Sequence, residues 1–190
     1  MSYAAPPGRN RVRLHPLVAV TIATASTFSR PASAQAPDNP SPAAAQLIGL
    51  FTQTCVQFAG RRDALRDFLT RKGVPELSEG GKAIFLRARK GVGYDATNKV
   101  TRLALVSEDN GACTAFMGEG GNADIISQVR SLFRGLHVQL EQVSDDQKPD
   151  RRTAIDRLTV GDKAYNLVTS TNGNPSASIQ AAITLSSAAL

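Results

Sequence analysis

Hydrophobic residues recur along the chain with two different periods, and the period changes near residue 100. From Ser41-Pro42 onward, Leu47, Leu50, Phe51, Thr54, Cys55 and Phe58 fall at i, i+3 and i+4 spacing. This predicts a helix over about 43–59, with Ser41 as N-cap, Pro42 at the first helical position and Gly60 as its end. Leu65, Phe68 and Leu69 predict a second helix over about 62–72, stopped by Gly73 and Pro75. A third, over about 78–90, starts at Ser78 with Ile84, Phe85 and Ala88 facing inward, although Gly80-Gly81 weakens the pattern. Its Lys82, Arg87, Arg89 and Lys90 read as a solvated face.

Beyond residue 100 the period shortens to two. Val100–Ser107 and Ala112–Gly118 read as strands joined by Asp109-Asn110-Gly111, residues that tolerate positive φ, so a hairpin is expected. Ile125, Ile126, Val129, Leu132, Phe133 and Leu136 then form the apolar face of a helix over about 123–136, with Asn122 expected as its cap. Four further strands follow near 137–146, 152–160, 163–171 and 176–187, punctuated by Lys148-Pro149-Asp150, Gly161-Asp162 and Asn172-Gly173-Asn174-Pro175. The last alternates Ala177, Ile179, Ala181, Ile183 and Leu185 against Ser178, Gln180, Ala182 and Thr184, as in an antiparallel sheet with one packed and one wet face. The expected fold class is α+β, with N-terminal helices and one central helix packed on a predominantly antiparallel sheet that ends in a four-stranded meander.

Charge placement changes the picture at the N-terminus. The 190 residues carry a formal charge of +6. Arg9, Arg11, Arg13 and Arg30 precede any acidic residue, which leaves 18 basic against 16 acidic residues in the remainder. A nucleic-acid-binding face concentrates Lys and Arg and interleaves aromatics. Tryptophan is absent here and the remaining charges are mixed in sign, so no nucleic-acid partner is expected. The basic leader, the modest apolar stretch Leu17–Phe28 and the small residues Ala32-Ser33-Ala34 instead fit a signal peptide over 1–34, cleaved after Ala34. A Pro-rich linker over 35–42 and a single domain over 43–190 would follow. No stretch approaches the ~20 apolar residues of a membrane-spanning helix, so no integral span is expected after cleavage. The implied location is periplasmic or secreted.

Cys55 and Cys113 are the two cysteines, an even count suited to an oxidising compartment, and export favours a bridge between them. That bridge would staple the first helix to the second strand of the hairpin. Phe51-x-x-x-Cys55-Val56, with Leu103-Ala104-Leu105-Val106-Ser107-Glu108-Asp109-Asn110-Gly111-Ala112-Cys113, resembles a group of small, uncharacterised secreted proteins of proteobacteria over roughly residues 47–135. The resemblance implies a periplasmic location and a disulfide, and brings no activity with it.

Candidate chemistry is sparse. His15 lies in the leader and His137 is the one histidine beyond it. Ser107, His137 and Asp109 make a triad only on paper, because no Gly-x-Ser-x-Gly elbow accompanies them. Glu108, Asp109, Asp145, Asp146 and Asp150 could supply a carboxylate pair, but all fall in predicted turns, where acids occur for backbone reasons. The run 145–150 lacks the ligand spacing of a calcium loop. Gly118-x-Gly120-Gly121 and Gly91-Val92-Gly93 lack the Lys-Ser/Thr of a phosphate loop. No cofactor and no metal are expected.

These observations favour a non-catalytic, disulfide-stapled binding or accessory module of the cell envelope. Glu108, Asp109, Asn110 and Gly111 are its candidate contact tip, toward an envelope protein or ligand whose identity the sequence leaves open. The alternative is a secreted hydrolase that uses Ser107 or a carboxylate with His137.

Overall fold

A computed structural model describes residues 41–120 and 124–188. The proposed signal peptide, most of the Pro-rich linker and the expected cap Asn122 lie outside the described residues. Among the described residues, four helices pack on one seven-stranded antiparallel sheet, an α+β fold. The helices are α1 (Pro42–Phe51), α2 (Arg62–Arg71), α3 (Glu79–Phe85) and α4 (Ile125–Gly135). The strands are β1 (Gly91–Asp95), β2 (Leu103–Glu108), β3 (Cys113–Met117), β4 (Leu140–Lys148), β5 (Arg151–Val160), β6 (Lys163–Asn172) and β7 (Ala181–Ser187). Their spatial order is β1-β2-β3-β7-β6-β5-β4. The C-terminal meander is therefore present, and β7 lies between β3 and β6.

Local chemistry sets the element ends. Ser41 Oγ accepts from the Ala44 N–H at 3.2 Å, and Pro42 occupies the first turn as expected. Before its predicted end the first helix widens into a π turn, Thr52–Val56. There the hydroxyls of Thr52 and Thr54 donate back to the carbonyls of Ile48 and Leu50, competing with the α-helical ladder. Asp124 stands where Asn122 was expected, accepting from the Ser127 N–H at 3.1 Å. Gly73, at φ 67°, closes α2 through paired bonds from Val74 to Leu69 and from Gly73 to Thr70.

The main core lies between the helical layer and the sheet. Leu47 and Phe51 of α1, Leu65 and Leu69 of α2, and Ile125, Val129 and Phe133 of α4 pack on Leu105, Ala115, Met117, Leu167 and Ile183. Cys55, on the π turn, is bonded to Cys113 on β3, with Cα atoms 5.4 Å apart. The predicted staple is in place.

Three expectations change. The third helix stops at Phe85, and Ile84 and Ala88 face solvent, whereas Leu86 is buried. Gly91–Asp95, where no strand was expected, is a strand at the sheet edge. The last strand begins at Ala181 and not at residue 176, because Gln180 Nε2 lies 2.8–3.0 Å from the carbonyls of Asn174, Pro175 and Ala177 and gathers that segment into a turn.

Candidate functional site

The second face of the sheet is covered only in part. Leu77, Leu86, Ala104, Val106 and Phe116 form a small core there, beneath α3 and the residues that follow it. Beyond this cover the face is open. Strand register aligns Ala104, Phe116, Ala182, Ser170 and Thr153 in one row across β2, β3, β7, β6 and β5. Side-chain size falls from Phe116 to Ala182 to Ser170, so the surface drops just past the edge of the small core. The result is a half-open groove of about 280 Å³. From β3 to β5 it spans three inter-strand steps, about 14 Å at the usual spacing.

Its walls differ in chemistry from its floor. Ile84, Phe85, Arg87 and Arg89 form one side, and Arg151 stands on the other. Among the described residues, no acidic side chain lines the groove. Arg89 pairs with Glu108 at 2.5 Å and donates to the carbonyls of Leu86 and Phe85, so its position is fixed. Arg87 gives its Nε to the Ile84 carbonyl at 3.3 Å. Neither Arg87 nor Arg151 has an acidic partner among the described residues. Arg87 and Ala88 both hold positive φ, 46° and 66°, where the chain leaves α3 and turns toward β1.

The hairpin adjoins this wall. Glu108 is not an exposed tip residue: its side chain keeps 6% of its exposure and turns inward to Arg89. Asp109, Asn110 and Gly111 are exposed. They are also held. Arg62 donates to the Asp109 carbonyl at 2.6 Å, Arg66 pairs with its carboxylate at 2.8 Å, and Asn110 Oδ1 accepts from the Ala112 N–H at 2.9 Å.

The candidate catalytic groups are placed apart. Ser107 is buried on β2, and its hydroxyl accepts from Arg66 Nε at 3.2 Å. His137 follows α4, which packs on β4 and β6 in the other half of the sheet. It terminates that helix: at φ 55°, it donates to the Arg134 carbonyl while Val138 donates to Phe133. Asp145 is bound by Arg130 and Arg152, and Asp156, almost fully buried, is bound by Arg130. Hydrogen bonding from Arg152, then from Arg130, holds the Asp145 carboxyl below its ordinary range against the opposing effect of burial. Asp146 pairs with Lys148 on the β4 surface. Asp145 and Asp156 therefore brace α4 against β4 and β5. The described residues contain no group of three or more His, Cys, Asp or Glu that could hold a metal ion.

The sequence marks Arg87 and Arg89 only as solvated charges, places Ala182 on the wet side of the last strand and does not single out Arg151. No local signal marks them, because the groove joins residues 84–89, 116, 151, 170–172 and 179–182 through strand register. Neither a family model, nor a curated protein, nor a solved structure matches the chain.

Proposed function

We propose that the protein is a non-catalytic binding module of the bacterial cell envelope, exported by residues 1–34 and holding a small ligand in the open-face groove. The observation that carries this reading is the groove itself. It is a concavity that brings an apolar end, Phe85, Phe116, Ile179 and Ala182, together with arginine side chains, a pairing suited to an amphipathic ligand. The groups that would make a hydrolase are employed in structural bonds elsewhere, Ser107 with Arg66 and His137 at the end of α4. The Cys55–Cys113 bond is compatible with an oxidising compartment, as is the resemblance to small secreted proteins. In this reading Glu108 orients Arg89, and Asp109, Asn110 and Gly111 remain available to an envelope partner.

The test is mass spectrometry on protein recovered from the envelope fraction of its own cells. The expected denatured mass begins at Gln35 and rises by about two mass units on reduction. The expected native mass carries a small adduct that is lost on denaturation and missing from the Ala182→Phe variant. A full-length, reduced chain in the cytoplasmic fraction overturns the export part. The same adduct on the wild type and on Ala182→Phe, or no adduct on the wild type, overturns the groove as the binding site.

A further inference from the structure

Resting on the groove as the binding site, we propose that its ligand is an amphipathic carboxylate: an apolar chain laid over Phe116 and Ala182, with its acid group taken by Arg87 and Arg151. The two ends of the groove call for different chemistry. Phe85, Phe116, Ile179 and Ala182 belong to one apolar cluster on this face, and Ile84 stands 48% exposed at the wall above it. No other described residue covers it fully, and an apolar ligand in the groove would shield it.

Charge decides the head group. The groove has arginines on both walls and no acidic lining. Arg89 is neutralised by Glu108, a carboxylate buried for that purpose. Arg87 and Arg151 have no such partner among the described residues, although eight arginine or lysine side chains elsewhere do. An anion entering the groove meets two guanidinium groups without an acidic partner among the described residues, whose planar forks match a carboxylate. A cation would meet only like charge.

Volume limits the chain. The 280 Å³ equals the liquid volume of about nine waters, which suits an acyl group of medium length better than a long lipid. The size step from Phe116 to Ala182 provides that space. A phenylalanine at 182 would level the row and fill it.

The test is isothermal titration calorimetry of the folded protein with three probes: octanoate, octanol and inorganic phosphate. Octanoate is expected to bind at one site, at least about tenfold more tightly than either other probe, the factor that a single charge-assisted hydrogen bond supplies. In the double variant Arg87→Gln/Arg151→Gln, that margin over octanol disappears while octanol binding is unchanged. Both positions are exposed, and a urea midpoint equal to the wild type's shows that the variant is folded. In Ala182→Phe both octyl probes lose binding. Octanol matching octanoate on the wild type, with both blocked by Ala182→Phe, overturns the anion and leaves the groove as a binding site. Phosphate matching octanoate overturns the apolar chain. No heat from either octyl probe overturns the ligand class, and the adduct measurement above then decides the binding-module reading by itself.

Discussion

Among the described residues, three that are not glycine, Arg87, Ala88 and His137, sit in the left-handed region of backbone space. An L residue there brings Cβ against the following carbonyl, at a cost of about 1–2 kcal/mol, and glycine escapes it. Each of the three ends a helix. His137 occupies the position after α4 where glycine is usual, as Gly73 does after α2. Ala88→Gly and His137→Gly are therefore expected to raise stability, each by up to about 1 kcal/mol, read as an increased urea midpoint with an unchanged slope. A loss of stability at His137 would mean that its ring, and not its backbone, is what the fold uses. The same positions show what a sequence withholds. Ser41, Ser78 and Gly73 announce their roles by type, whereas nothing in the letters Ala88 or His137 signals a positive φ. The backbone there is imposed by where α3 and α4 must end.

Elements with a strong period were legible, and those held by long-range contacts were not. α2, α4, the β2–β3 hairpin and the meander follow from apolar spacing and turn residues. β1 escaped because its glycines serve packing. A Cβ on Gly91 would lie 2.5 Å from the Ser107 carbonyl oxygen, and one on Gly93 would lie 2.6 Å from Leu77 Cδ1. Two glycines in five residues read as a loop, while close approach to β2 and to Leu77 is what demands them. The candidate site was equally hidden, since its floor is a row across β3, β7 and β6 that only register assembles. The ion-pair set around α4 joins helix to strand in the same long-range way. Asp145 is expected to be worth about 2 kcal/mol near neutral pH, the scale of hydrogen bonds to charged groups at a site 18% exposed. Its pKa is lowered in the folded chain, so the contribution is present above the ordinary carboxyl value of about 4 and is lost as pH falls through the lower folded value. Asp145→Asn should then be less stable than the wild type at pH 7, with the gap closing at acidic pH. A constant gap across the titration would show that the side chain acts through shape and not through charge.

At the scale of the molecule, the sheet has one face under α1, α2 and α4 and one face largely open, with the disulfide on the covered side. Both predicted cysteines are core residues of the helix–sheet layer, so their bond and their packing act together. Closing a 58-residue loop stabilises by roughly 4 kcal/mol in the chain-entropy model. The double variant Cys55→Ala/Cys113→Ala is expected to lose a comparable amount, and the octyl-probe groove on the other face should keep its affinity if the variant is assayed below its unfolding midpoint. An affinity lost together with the bond would mean that the two faces do not behave independently.

The position of β7 also orders events in time. Residues 113–117 and 163–172 each present a strand that awaits the same partner, and that partner is the strand nearest the C-terminus. Cys113 meets Leu185 across 72 positions of sequence, a contact that forms slowly because so long a loop must close first. While the ribosome still holds residues 181–187, the sheet exists only as two separate halves. A chain made in this order keeps its two half-sheets unjoined, each with an unpaired edge, until residues 181–187 are free to pair with both.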